Sequence, residues 1–175
     1  MAMFGKALGN GYAITAIIGR REIMEAAQTT FISSTFWTER IGPTAALATL
    51  DVMSRTGSWS QITKTGQAIT QRWHELAKLH DLKITTGGLP SLTNFTFESP
   101  NAPAYKTLIT QEMLNQGFLA SNSVYVCTEH TQEVVDEYFT LLDPIFLKIR
   151  QCEDGKDVMS LLNGPICDSG FKRLN

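Results

Sequence analysis

From Tyr12 to Gly19 the chain reads YAITAIIG, a run without a charged side chain and without the polar–apolar alternation of a half-exposed strand. A run this short and this uniformly apolar is what a strand looks like when both its faces are covered. It asks for a sheet with layers on either side, which is α/β architecture. Ahead of it lie a glycine-rich turn (Gly9, Asn10, Gly11) and one lysine, Lys6, directly after Gly5. A lysine held at the lip of a buried strand has its ammonium partly stripped of water. Desolvation lowers the pKa of an amine and frees it for Schiff-base chemistry.

Behind this strand the spacing predicts a short helix over 20–28, then a loop over 29–43 crowded with Thr and Ser and lacking any helical period. Pro43 stands where it can open a helix at no cost in N–H groups, with Leu47, Leu50 and Met53 as the buried stripe. A longer helix follows Ser58 or Ser60, with Ile62, Gly66, Ile69, Trp73 and Leu76 on one face. From about residue 82 the pattern changes. Residues 82–85 (LKIT) and 92–98 (LTNFTFE) read as strands turned by Gly87, Gly88 and Pro90. An amphipathic helix over 103–116 places Tyr105, Leu108, Ile109 and Met113 inward and stops at Gly117. Short strands at 117–120 and 123–127 complete a small sheet. Thr131 caps a last long helix lined by Val134, Tyr138, Leu141, Leu142, Ile145 and Ile149, which Pro144 should kink or split. The tail, 164–175, reads as irregular.

The composition excludes several classes of function. The chain has 175 residues, 43% of them hydrophobic and 18% charged, which is ordinary for a globular protein with a real core. A net charge of −2 offers no footprint for nucleic acid or an anionic membrane. The apolar runs fall short of the roughly 20 residues of a membrane span, and the N-terminus lacks the order of a secretory signal. Cys127, Cys152 and Cys167 form no C-x-x-C pair and read as reduced thiols in a cytoplasmic protein. His74, His80 and His130 lack metal-ligand spacing, so no metal is expected. Other glycine-rich readings fail on order. A phosphate-binding P-loop needs its lysine after the glycines, and a dinucleotide fingerprint leads into a helix; here the lysine comes first and a strand follows.

The stretch MFGKALGNGYAITAIIGRREIM (3–24) resembles the active-site lysine region of class III, fold-type I aminotransferases. These enzymes use pyridoxal 5'-phosphate (PLP), and the likeness is strongest to the branch near glutamate-1-semialdehyde aminomutase. In that family a GK-x-L-G-x-G string holds the cofactor-binding lysine, and a strand and a G-R-x-E-I-M helix follow. Gly5, Lys6, Leu8, Gly9, Gly11, Gly19, Arg20, Glu22, Ile23 and Met24 stand at the matching positions. The resemblance covers nearly the whole chain and is strong over 3–55.

What the resemblance implies is the C-terminal portion of a PLP-dependent aminotransferase or aminomutase. Residues 1–56 would be the end of the large α/β domain, 57–80 a connecting helix, and 81–175 a small α+β domain with an antiparallel sheet covered by helices. Lys6 would bind the cofactor as a Schiff base and transfer protons on the substrate. Gly9 and Gly11 would let the backbone pass close to cofactor or substrate, or serve as a plain turn. The family places a threonine five residues before a helix-opening proline, where it binds the phosphate of the cofactor held by the other subunit. Thr38 has that spacing to Pro43, although Glu39, Arg40, Ile41 and Gly42 stand between them where the family has small residues or glycine. Thr35 competes for the role, and Thr38 as a simple turn cap is the plainer alternative. Arg40 would meet a substrate carboxylate or face solvent. Phe31, Phe36 and Trp37 suit a homodimer interface or core packing. The acidic partner of the pyridine nitrogen, the stacking aromatic and the main phosphate turn lie upstream of the lysine in this family. The substrates would be small-molecule amino donors and acceptors, and intermolecular transfer is not separable here from an internal amino shift. The competing expectation is a catalytically inactive remnant that acts as a folded dimerisation or binding module.

Overall fold

The computed structural model describes residues 1–32 and 35–168. The chain divides into two compact units, Met1–Trp59 and Ser60–Asn175. In the first, β1 (Ala2–Phe4) pairs antiparallel with β2 (Ala16–Ile18), Met3 opposite Ile17. A single 3₁₀ turn, Lys6–Leu8, follows β1. The helix α1 (Arg21–Met24) runs on into a 3₁₀ segment, Glu25–Thr29, so the helical reading of 20–28 holds. The strand read over 12–19 is shorter than expected, and it is not buried: Ile17 and Ile18 are both more than half exposed. Only β1 borders it among the described residues, so its two apolar faces find no covering layer within this chain.

The helix α2 (Ile41–Thr56) starts two residues ahead of Pro43 and ends at Gly57, whose φ of +59° closes it with a left-handed cap. Its buried residues are Gly42 and Ala46, spaced one turn apart, and it packs against the Lys6–Leu8 turn. The expected stripe is therefore displaced. Leu47 and Leu50 are 70% and 51% exposed, and Met53 is half-buried, because the small face at Gly42 and Ala46 permits the closer approach.

The second unit holds the core. Helix α3 (Ser58–Leu79) buries Ile69, Trp73 and Leu76 on the predicted face. The hairpin of β3 (Ile84–Leu89) and β4 (Leu92–Phe97) is joined on its far side by β5 (Ser123–Tyr125), giving the order β3-β4-β5, antiparallel throughout. The turn is made at Pro90–Ser91, with Leu89 opposite Leu92; Gly87 and Gly88, expected in the turn, pair within the strands. Gly66 of α3 explains how the hairpin sits. A Cβ there would lie 1.7 Å from the Pro90 carbonyl oxygen, so the absence of a side chain lets the turn rest on the helix.

Helix α4 (Ala102–Asn115) buries Tyr105, Leu108, Ile109 and Met113 as expected, and Gly117 (φ +83°) ends it. Residues 117–120 form no strand, because the Phe118 N–H turns back to the Met113 carbonyl instead of a neighbouring strand. Helix α5 (Gln132–Glu153) is capped by the Thr131 hydroxyl, which accepts from Val134 N–H at 3.4 Å. It runs through Pro144 without a break, held by buried Leu142, Ile145, Phe146 and Ile149 around an exposed proline. Trp73, Phe95, Phe97, Tyr105 and Phe146 stack edge-on or tilted at centroid distances of 4.7 to 5.9 Å, tying both longer helices to the sheet. The tail is without regular structure over 165–168; the rest of that expectation lies outside the described residues.

Candidate active site

Lys6 opens the 3₁₀ turn after β1, and its own backbone is left-handed, φ +49°. The turn is closed by Leu8 N–H donating to the Gly5 carbonyl at 3.0 Å, and by the Gly9 and Asn10 N–H groups donating to the Lys6 carbonyl at 3.2 and 3.3 Å. Gly9 is required by packing: a Cβ there would meet the Tyr12 carbonyl oxygen at 2.0 Å. Of the two roles read for these glycines, Gly9 serves the tight turn. Gly11 borders open space.

The Lys6 side chain is exposed, which corrects the expectation of a partly desolvated amine. The strand meant to shield it is itself uncovered. Lys6 nevertheless lines a cleft of about 780 Å³ within the first unit, together with Tyr12, Phe36, Trp37, Glu39 and Pro43. Phe36 and Trp37 belong to the threonine-rich loop, so lysine and loop meet at this cleft. Trp37 is also left-handed, φ +38°. Left-handed backbone at residues other than glycine or asparagine costs about 1–3 kcal/mol each, and such strain concentrates at functional sites. Asp81 is the only described non-glycine residue with this conformation outside the cleft region, where Lys6, Asn10 and Trp37 all have it.

Glu39 is the residue that sequence reasoning undervalued, noting it only as a departure from the family pattern. Its carboxylate accepts from the N–H groups of Ile41 at 2.5 Å and Gly42 at 3.4 Å, two donors that the first turn of α2 leaves free. An acid at a helix start also pairs with the positive end of the helix dipole. A carboxylate two residues ahead of a helix start was the available signal. The Glu39 N–H in turn donates to the Phe36 carbonyl at 2.7 Å, closing a tight turn over 36–39.

Thr38 lies on that turn and Thr35 just before it; both are exposed, and neither lines the cleft that holds Lys6. Arg40 is exposed as well. Phe31, Phe36 and Trp37 are 94%, 55% and 81% exposed, so core packing within this chain is not their role. Ser33 and Ser34, in the middle of the loop, lie outside the described residues.

The chain is similar to known proteins. The chain is 30% identical, over 76% of its length, to the 3-aminobutyryl-CoA aminotransferase of Cloacimonas acidaminovorans, and covers 34% of that protein. It is 26% identical to the glutamate-1-semialdehyde 2,1-aminomutase of Methanocaldococcus jannaschii, over 83% of this chain and 38% of the relative. The chain thus spans about a third of the length of the curated relatives it matches. Among solved structures, the FumI protein of Sphingopyxis sp. MTA144 in a PLP form superposes with a TM-score of 0.77 at 20% identity, over 91% of this chain and 39% of that one. A transaminase with PLP bound gives 0.73 at 20% identity, over 86% and 38%. These superpositions bear out the expected mixed α/β fold, shared with PLP-dependent transaminases. The model of the family described as aminotransferase class-III matches residues 1–136, from β1 into the first turn of α5, and the chain belongs to that family.

Proposed function

We propose that this chain is the lysine-bearing portion of a PLP-dependent aminotransferase or aminomutase, with Lys6 as the cofactor-binding amine. The observation that carries this reading is the opening of Lys6 onto a cleft with aromatic side chains on its wall, in a chain of the class-III family. The residues fit the group. The Lys6 side chain stands at the cleft, Tyr12, Phe36 and Trp37 line it with aromatic rings that suit a flat heterocycle, and Gly11 leaves room for it.

PLP, when bound, supplies an aldehyde carbon and a ring that draws electrons from the carbon bearing the amino group. Lys6 Nζ would hold the cofactor and, once free, would move a proton between the substrate α-carbon and the cofactor's former aldehyde carbon, work that suits a long, mobile amine. Thr38, or else Thr35, gives its hydroxyl to the phosphate of the cofactor in a second subunit, which accords with both lying off the Lys6 cleft. The assembly is a homodimer, and exposed Phe31, Phe36 and Trp37 suit its interface. Residues 1–56 are the end of the large domain, 57–80 the connecting helix and 81–175 the small domain.

The substrates are a small-molecule amino donor and acceptor. Relatives named as aminotransferase and as aminomutase both match, and the same lysine serves either reaction. The three unpaired cysteines suit the cytoplasm, and among the described residues no helix is long and apolar enough to cross a membrane. The exposure of Lys6 is what favours the second reading, a folded dimerisation or binding module without catalysis.

Borohydride reduction in the presence of PLP, followed by peptide mapping, separates the two. The expected result is weak overall binding by this chain alone, with the pyridoxyl label concentrated on the Lys6 peptide and lost in Lys6→Ala. Label spread evenly over the lysines would leave only the binding module.

A further inference from the structure

A cavity of about 550 Å³ lies wholly within the second unit and shares no residue with the Lys6 cleft. Local folding opens it. Past α4 the Phe118 N–H turns back to the Met113 carbonyl, so 117–120 adds no strand to the sheet. The space is bounded by Ile69 of α3, Phe118, Val124 of β5 and Val135 of α5, and no Asp, Glu, Lys or Arg is among the described residues that line it. Two polar side chains on the same walls, Tyr138 and His130, have hydrogen-bonding capacity left over. Tyr138 is 7% exposed; its phenol oxygen accepts the Trp73 indole N–H at 3.0 Å, and among the described residues its own proton meets no acceptor. A buried O–H without an acceptor is costly and uncommon. His130 is held by its own loop: the Cys127 N–H donates to Nδ1 at 3.1 Å, and the His130 N–H donates to the Cys127 carbonyl at 3.2 Å. With Nδ1 accepting, the neutral ring carries its proton on Nε2, which makes a second donor.

We propose that this cavity binds an uncharged, mainly apolar small molecule bearing a carbonyl group, whose oxygen accepts from the Tyr138 hydroxyl. The volume falls within the range of small-molecule sites, roughly 300–1,000 Å³, and apolar walls with a few placed polar groups are how such sites are built. The walls also select the occupant. An ionised head, of either sign, would give up its hydration with no opposite charge to meet it. A pure hydrocarbon would leave the Tyr138 proton unanswered. A carbonyl oxygen accepts without carrying charge, which suits both the donors and the apolar surroundings. The site is independent of chemistry at Lys6.

The test titrates cyclohexyl methyl ketone into the full 175-residue chain and follows amide and indole N–H signals by NMR, with cyclohexanecarboxylate and cyclohexylmethylamine as charged controls of similar body. Saturable shifts are expected at Phe118, Val124, Val135 and Tyr138. The Trp73 indole N–H should move downfield as well, because a phenol that donates becomes a better acceptor. Both charged controls should bind at least about tenfold more weakly. Tyr138→Phe should weaken the ketone by about tenfold. Ala120→Trp, at a half-buried position on the cavity wall, should fill the space and abolish the shifts without touching the Trp73–Tyr138 bond. Lys6→Ala should leave the titration unchanged, so this result and the labelling of Lys6 are read separately. No saturable shift at millimolar ketone, equal affinity for the three heads, or undiminished ketone binding in Ala120→Trp would each overturn the proposal.

Discussion

The indole N–H of Trp73 in α3 donates a 3.0 Å hydrogen bond to the phenol oxygen of Tyr138 in α5, between two buried side chains of the second unit. The bond fixes the rotation of one helix against the other at the point where the aromatic cluster begins. Tyr138→Phe keeps the packing but strands a buried donor. The expected loss is about 1–3 kcal/mol of stability, read as a lower urea midpoint at unchanged slope. A loss near zero would mean that water reaches the indole.

A second prediction concerns shape. Gly66→Ala would put a methyl group 1.7 Å from the Pro90 carbonyl oxygen, backbone against backbone, so either the hairpin or the helix must move. Overpacking of this kind costs about 1–3 kcal/mol, more than the usual gain from alanine over glycine in a helix. Thermal denaturation of the variant should show a lower Tm, and hydrogen exchange should show faster opening at Pro90 and Ser91.

Tyr105 and Glu153 make the pH dependence two-sided. The phenol donates to the Glu153 carboxylate at 2.5 Å, and Ser99 donates to the same oxygen at 2.7 Å. These two bonds hold the Glu153 carboxyl below its usual value of 4.5, while burial, helped by the adjacent carboxylate, pushes Tyr105 up to about 12. For Glu153 the folded pKa is depressed, so its contribution is present above pH 4.5 and is lost as pH falls through the folded value. For Tyr105 the folded pKa is raised, so its contribution is full below pH 10 and is lost as pH rises towards and through about 12. Glu153→Gln should flatten the acid limb and cost about 1 kcal/mol at neutral pH, since solvent screens a carboxylate at the surface. Stability measured against pH would show the change on the acid side first.

The second unit was legible because its helices bury their own periodic faces. Ile69, Trp73 and Leu76, and likewise Tyr105, Leu108 and Met113, fall where helical spacing puts them, with no help from outside the unit. In the first unit the expected burial did not follow. The apolar run at 12–19 and the stripe at Leu47 and Leu50 read as buried, yet Ile17, Ile18, Leu47 and Leu50 are all more than half exposed. Hydrophobic pattern states a demand for partners and is silent on which chain supplies them. Lys6 was singled out through its flanking residues, whereas its left-handed backbone follows from how the turn closes, and Glu39 was missed because capping depends on where α2 begins.

The Glu39 cap yields the last prediction. Its carboxylate supplies the acceptor for the first free N–H groups of α2, and its own N–H closes the turn that carries Thr38. Removing a helix-start acceptor of this kind costs about 0.5–2 kcal/mol. Glu39→Ala should therefore speed amide exchange at Ile41 and Gly42 and loosen residues 36–39, leaving the second unit unchanged. Glu39→Gln keeps one acceptor oxygen but loses the charge that complements the helix dipole, so it should fall between the two, nearer wild type in high salt. If instead Glu39→Ala leaves exchange at Ile41 and Gly42 as it was, those donors have another partner, and the loop bearing Thr38 is held by something other than this carboxylate.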